Sequence, residues 1–175
     1  MPLIFTHTYN SPLGEIILGD FEGKLVLADW KYRKMRTSID KRIQNGCSSD
    51  YLENKTDLHQ LCIQQFDEYF QNKRTTFDIP LLLIGSDFQK QVWNELLNIP
   101  FGKTSSYLAL SQKLNNEKAI RAVASANGAN AISIIIPCHR IIGSDGDLVG
   151  YAGGLSAKKK LLQLENSFNQ LEMNF

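Results

Sequence analysis

The sequence predicts an α/β protein, of the α+β type, built from two units at residues 1–84 and 85–175. Three observations carry that expectation. Short apolar runs separated by turn residues fill the first thirty positions, apolar residues at helical spacing dominate after Gly85, and a helix-capping signature, Ser86-Asp87-Phe88-Gln89, opens the second stretch. The first unit is expected to be a small antiparallel sheet with a helix. The second is expected to be mainly helical and to contain a helix-turn-helix.

Within the first unit, Ile4–Tyr9, Glu15–Asp20 and Lys24–Trp30 read as strands, with Ser11-Pro12-Leu13-Gly14 and Phe21-Glu22-Gly23 as the turns of an antiparallel meander. Residues Lys31 to Lys55 are polar, with Asn45-Gly46 and Ser48-Ser49-Asp50, and read as an exposed connection. Helical spacing of Leu58, Leu61, Cys62, Phe66, Tyr69 and Phe70 predicts a helix from Asp57 to Asn72. Phe77–Leu83 is a further extended run, ending at Gly85.

The second unit begins where Ser86 and Gln89 can satisfy free amides at a helix start, and the helix runs to about Asn98 with Phe88, Val92, Trp93, Leu96 and Leu97 inward. Pro100 and Gly102 break it. Ser106 can cap a second helix through Leu114, Asn115-Asn116 turn the chain, and a third helix spans about Glu117 to Asn127. Ala131–Ile136 is β-branched and reads as a buried strand delivering the chain to Pro137-Cys138-His139-Arg140. A turn at Gly143-Ser144-Asp145-Gly146 and a loop at Gly150-Tyr151-Ala152-Gly153-Gly154 follow. Ser156 can cap a closing helix that ends near Glu165.

Composition narrows the class. Hydrophobic residues make up 43% and charged residues 21%, values of a folded rather than a disordered chain. No apolar run approaches the roughly 20 residues that span a bilayer, and the N-terminus lacks a secretory pattern. Cys47, Cys62 and Cys138 are an odd number without tight pairing, so a reducing cytoplasmic setting is expected over a disulfide scaffold. Net charge is +1, which neither demands nor excludes a polyanionic partner. Between Pro100 and Arg140, Lys103, Lys113, Lys118, Arg121 and Arg140 stand against Glu117; such a stretch can face phosphates, although scattered lysines more often mark a solvated surface.

Cys138 is the first candidate for chemistry. Its nucleophilic form is the thiolate, and an ordinary cysteine with a pKa of about 8.5 needs help at neutral pH. His139 is adjacent in sequence, but neighbouring side chains diverge, so a water bridge is easier to build than a direct bond. A histidine in this role also needs a group to fix its tautomer, which Glu165 can supply by folding back. A lone Cys-His pair is usually accidental, and buried cysteines usually serve as small hydrophobes. In the glycine loop, glycine lets the main chain approach a planar ligand, with Tyr151 and Ala152 at its edge.

The pattern as a whole decides the matter. Phe88-Gln89, Val92-Trp93, Ile99-Pro100-x-Gly102-x-Thr104, Ser106-Tyr107, Arg121-Ala122-Val123, Ala126-Asn127-Gly128, Asn130, Ile136-Pro137-Cys138-His139-Arg140-Ile141-Ile142-Gly143, Gly150–Gly154 and Leu161-Leu162-x-x-Glu165 appear in that order. The chain resembles the O6-alkylguanine-DNA alkyltransferases, also called methylated-DNA–protein-cysteine methyltransferases. The resemblance is close from Phe88 to Glu165 and looser upstream, through Ser11-Pro12-Leu13-Gly14 and Phe66-x-x-Tyr69-Phe70.

That resemblance implies a ribonuclease-H-like first unit and a single-use transfer of an alkyl group from O6-alkylguanine, or O4-alkylthymine, in double-stranded DNA to Cys138. It implies His139 as the activator through water, Glu165 as its support, Asn130 as a shaper of the active-site turn and Tyr107 as proton donor to guanine. Arg121 would fill the stack vacated by the flipped nucleotide. Ala122 and Ala124 would let the third helix enter the minor groove, whose degenerate code suits sequence-neutral repair. Asn116 and Ser144 would touch the DNA backbone, and Tyr151 and Ala152 would line the guanine pocket. No cofactor, membrane or obligate protein partner is implied, and the chain is expected to act as a monomer.

Two positions depart from the family's pattern: Ala131 stands where proline is usual and Ala124 where glycine is usual. Zinc occurs in the first unit of some relatives. Here His59 and Cys62 share a helix face without two further ligands, so no metal is expected. A lesion-binding protein without chemistry, a helix-turn-helix regulator and a papain-like hydrolase are the alternatives. The first lacks the nucleophile, the second needs no Cys138, His139 and Glu165 constellation, and the third draws its histidine from a distant segment.

Overall fold

The computed structural model describes residues 2–173, with side chains up to Asn166. The chain divides into two compact units, Met1–Gly85 and Ser86–Phe175.

The expected meander forms the centre of the first unit: β1 (Ile4–Ser11), β2 (Gly14–Phe21) and β3 (Lys24–Trp30) pair antiparallel in sequence order. Glu22 and Gly23 join β2 to β3 with φ of 52° and 81°. Two positive φ values make the type I′ turn whose twist matches a hairpin. Asp20 Oδ1 accepts from the Gly23 amide and closes the turn. Every residue from Leu25 to Trp30 is buried, so β3 is covered on both faces.

The polar stretch after β3 is not an exposed connection. It folds into α1 (Arg36–Cys47) and β4 (Tyr51–Glu53), and β4 pairs with β1 in parallel, giving a sheet ordered β3-β2-β1-β4. The sheet is therefore mixed, antiparallel in its meander and parallel at one edge. Helix α1 buries only Ile39 and Ile43, too small a stripe to stand out among polar neighbours. Its polar residues are instead used internally: Arg33 and Arg36 bond the buried Asp29, Arg36 bonds Asp40, and the Tyr51 hydroxyl donates to Asp40. Gly46, which reads as a turn residue, lies inside α1, where any Cβ would collide with Ile84.

Helix α2 (Asp57–Phe70) starts at a capping box in which Thr56 Oγ1 accepts from the His59 amide and the Thr56 amide donates to His59 Nδ1. It buries Cys62, Phe66 and Tyr69, with Phe66 stacked on Tyr9 at 5.5 Å. The extended run at 77–83 meets the sheet through an isolated bridge of Leu81 with Leu25, in which the Leu25 amide donates to the Pro80 carbonyl and the Leu82 amide donates to the Leu25 carbonyl. Pro80 lacks the amide that would prolong a ladder there.

In the second unit, α3 (Asp87–Leu96) begins at the expected Ser86–Gln89 capping box and buries Val92, Trp93 and Leu96. Trp93 Nε1 donates to the Ala126 carbonyl at 2.8 Å, tying α3 to the helix that follows the turn at Asn115. A two-residue strand β5 (Ser105–Ser106) pairs in parallel with β6 (Ile141–Ile142). Ser106 then caps α4 (Tyr107–Lys113), accepting from the Ala109 amide. Asn115, at φ 56°, reverses the chain; a 3₁₀ turn at Glu117–Ala119 leads into α5 (Ile120–Gly128). The last helix, α6 (Leu155–Met173), starts before Ser156, which is thus not its cap, and continues beyond Glu165. Among the described residues no helix is long and apolar enough to cross a membrane.

Candidate active site

The site begins with the side chain of Asn130, 2% exposed just after α5. Its Oδ1 accepts from the Ile132 amide at 3.0 Å, while Nδ2 donates to the carbonyls of Ile132 at 3.2 Å and Ile136 at 2.9 Å. These bonds draw 131–136 into a compact turn, closed further by the Ile136 amide on the Ile132 carbonyl. Ile134 sits at φ 72° and 1% exposure, a strained conformation for a β-branched residue that the surroundings must enforce. The expected strand over Ala131–Ile136 is therefore absent. Its residues are buried as predicted, but the Asn130 amide supplies the backbone partners that a neighbouring strand would otherwise provide.

Pro137 leads from that turn into a 3₁₀ turn at Cys138–Arg140, with all three of its residues buried. The Cys138 amide donates to the Ile136 carbonyl at 2.8 Å, so the carbonyl that Asn130 holds also holds Cys138. Cys138 is 3% exposed and His139 is fully buried.

Glu165 reaches back from α6 as expected: its Oε1 lies 2.7 Å from His139 Nε2. Arg140 shares the carboxylate, with Nε 3.0 Å from Oε2, Nη2 2.9 Å from Oε1 and Nη1 on the Ile99 carbonyl at 2.7 Å. Arg140 is consequently removed from the set of basic residues that can face phosphates. Burial alone would push the Glu165 carboxyl up, but the His139 and Arg140 hydrogen bonds and charges outweigh it and hold the pKa at about 2. Burial pushes His139 down, against the pull of Glu165. The pair thus rests as a carboxylate and a neutral imidazole. An ionised carboxylate only accepts, so Nε2 carries the proton and Nδ1 presents a lone pair. Among the described residues Nδ1 has no hydrogen-bond partner.

Two tyrosines join this cluster. Tyr107, half-buried at the start of α4, hydrogen-bonds Asn127; burial and the nearby Cys138 raise its pKa, while the Asn127 bond opposes the rise. Tyr151 places its ring edge-on to His139, centroids 6.4 Å apart. Ala152 beside it is half-buried. The structure does not gather the remaining candidates here. Arg121, Ala122 and Asn116 are exposed on α5 and the turn before it, Ala124 is half-buried in α5, and Ser144 is exposed in a separate turn. His59 is engaged in capping α2, and no group of three or more potential metal ligands is assembled among the described residues.

Residues 87–167 match the DNA binding domain of 6-O-methylguanine DNA methyltransferase, and residues 4–83 match the ribonuclease-like domain of the same family. The chain belongs to this family. It is 49% identical over 170 residues to a methylated-DNA–protein-cysteine methyltransferase of Mycobacterium bovis, the match covering 94% of each. It is 42% identical over 158 residues to the protein of that name from Methanosarcina barkeri, covering 90% of this chain and 94% of the relative. Among solved structures it is similar to Mycobacterium tuberculosis OGT in complex with DNA, with a TM-score of 0.80, 36% identity and 94% of each chain covered.

Sequence reasoning missed two side chains of this methyltransferase-family site. In the sequence Arg140 reads as one of the basic residues that can face phosphates, although it holds Glu165. Lys158 was not singled out, yet it is fully buried and donates to the carbonyls of Ile141, Val149 and Gly150. A signal was present: Lys158, Leu161 and Glu165 follow i, i+3, i+7 spacing, which puts the lysine on the buried face of its helix.

Proposed function

We propose that this protein repairs alkylated DNA by moving the alkyl group of O6-alkylguanine onto Cys138, once per molecule. The observation that carries the reading is the His139–Glu165 pair: a neutral imidazole, its Nε2 proton committed to a carboxylate, beside a buried thiol. Nδ1 of His139 takes the Cys138 proton through a water molecule. The sulfur then attacks the alkyl carbon, the carbon–O6 bond breaks, and its electron pair returns to guanine. Tyr107 supplies the proton that the leaving base needs; its raised pKa keeps that proton in place beforehand. The product is a thioether, with no carbonyl for water to attack, so the thiol is not regenerated.

A guanine inside a duplex hides its O6 group from a buried thiol. The nucleotide must therefore rotate out, at a cost of about a few kcal/mol. In this reading α4 and α5 act as a helix-turn-helix with α5 in the minor groove, Ala122 and Ala124 allowing close approach. The exposed Arg121 fills the vacated stack, Asn116 and Ser144 contact the backbone, and Tyr151 and Ala152 border the base. Asn130 fixes the turn that presents Cys138. One copy of the chain and no cofactor suffice, and the protein works in the cytoplasm on the chromosome.

Intact-protein mass after incubation with a duplex containing O6-methylguanine tests the reading. One methylene's mass is gained and no more, and Cys138→Ala gains nothing. Tight binding to that duplex without any mass gain would instead make the protein a lesion binder.

A further inference from the structure

Lys158 lies in α6, fully buried, with its ammonium among three backbone carbonyls. Ionisable side chains are almost never buried to that degree without a specific set of partners. These partners belong to two separate segments. The Ile141 carbonyl directly follows the Cys138–Arg140 turn, and the Val149 and Gly150 carbonyls, the latter at 3.2 Å, open the glycine loop. The next residue of that loop, Tyr151, has its ring against His139. One side chain thus joins the segment that bears the thiol to the loop beside it. Gly150 supplies its carbonyl at φ 45°, with open space where a Cβ would stand.

We propose that Lys158 is a positioning residue for alkyl transfer, clamping the loop 149–152 onto the Cys138 turn so that the base is held in line with the sulfur. The inference rests on the alkyl-transfer reading above. Three charge-assisted bonds converge on one point, so losing the ammonium frees both segments together. A hydrophobic replacement leaves the buried Ile141 carbonyl and the part-buried Val149 and Gly150 carbonyls without this donor, and the loop, exposed at Val149 and Gly150, is the segment with fewer other contacts to hold it. The exposed Arg121 and Asn116 lie on other elements, so grip on the duplex is retained while the reacting atoms lose alignment.

The test compares full-length wild-type protein with Lys158→Met. Two substrates are used, a duplex containing O6-methylguanine and the free O6-methylguanine base. At saturating duplex the transfer rate constant of the variant falls roughly 10- to 100-fold, the scale of an alignment error near 1 Å. Its duplex dissociation constant stays unchanged. The loss is greater with the free base, for which the loop is a larger share of the total grip. Amide exchange rises at 149–152. Wild-type rates in the variant overturn the clamp, as does a loss of duplex binding in proportion to the loss of rate, which marks a role in folding alone. Should Lys158→Met fail to fold, Gly150→Pro breaks the clamp from the loop side, since proline cannot adopt a positive φ. The same split between rate and binding is expected there, and its absence counts against the proposal. Failure of wild-type protein to transfer a methyl group is a separate result and overturns the underlying reading as well.

Discussion

Each unit of the molecule buries a carboxylate and bonds it to two basic side chains, yet only one of the two arrangements can move a proton. Asp29, at the end of β3, is 0% exposed and is bonded by Arg33 and Arg36. Glu165, on α6, is 1% exposed and is bonded by Arg140 and His139. Guanidinium groups do not release their protons in proteins, so the Asp29 cluster can only hold a shape. Replacing one guanidinium by an imidazole changes the outcome. The remaining arginine keeps the acid ionised, and the imidazole is oriented, neutral and able to accept a proton at its other nitrogen. Burying a charge poses the same problem in both units; whether the solution is structural or chemical depends on the titratability of one partner.

The most severe way to break the comparison is Glu165→Gln. Arg140 then lies buried without its counter-ion, which costs about 3–5 kcal/mol. His139 loses the acceptor that fixes its tautomer, and transfer to Cys138 slows by about 100-fold or more, the usual worth of a placed general base. Chemical unfolding and single-turnover mass measurements check the two effects separately. The pH dependence follows from the shifts. His139 is depressed from 6.5, so the unfolded chain binds its proton first and stability begins to fall below that pH. Glu165 is depressed from 4.5 to about 2, so its contribution is complete above 4.5 and is lost as pH falls toward 2. Glu165→Gln removes the lower part of that acid loss. A profile with the lower part intact would show that Glu165 is not the group holding the cluster together.

Asp29→Asn is the matching change in the first unit. It strands Arg33 and part of Arg36, and the expected loss of stability is again about 3–5 kcal/mol. Molecules that remain folded should transfer at the wild-type rate, because nothing in that cluster exchanges a proton. A slower rate constant at a temperature where the variant is fully folded would break the distinction between the units. Asp40, on the same network but 25% exposed, sharpens it: Asp40→Asn should cost only about 0–1 kcal/mol.

Exposed arginine gives a smaller and different effect. Arg140 is consumed by Glu165, whereas Arg121 is exposed on α5. Arg121→Ala should weaken transfer from the duplex by about 1–3 kcal/mol, roughly tenfold or more, while reaction with the free base is unchanged. Equal losses on both substrates would place Arg121 within the folding of the site rather than at the duplex.

What could be read beforehand divides along the same physical line. The capping box at Ser86, the meander and the reach of Glu165 to His139 were legible because local spacing or a specific motif determines them. Helix α1 was not, since its stability depends on polar side chains converging on Asp29, and a polar stretch carries no sign of where its partners will lie. Ala131–Ile136 misled for a related reason: β-branched residues favour extended chain, and only the three-way bonding of Asn130 reveals a turn. Lys158 was hidden by its type, because lysines are read as solvated unless their helical phase is tracked.

The finest test of the two units concerns their helix starts. Ser86 and Thr56 both open capping boxes, and removal of either hydroxyl should cost about 1 kcal/mol. They differ in what else the hydroxyl touches. Ser86 is exposed, whereas Thr56 Oγ1 also donates to Asp20 Oδ2 at 2.7 Å, and Asp20 is 6% exposed at the turn end of β2. Thr56→Ala therefore removes a cap and leaves a buried carboxylate short of a donor, so it should exceed Ser86→Ala by about another 1 kcal/mol. Denaturant midpoints of the two variants measure that gap. Equal midpoints would mean that the Asp20 bond adds nothing to the cap, and that buried carboxylates in this protein depend on charge rather than on hydroxyl donors.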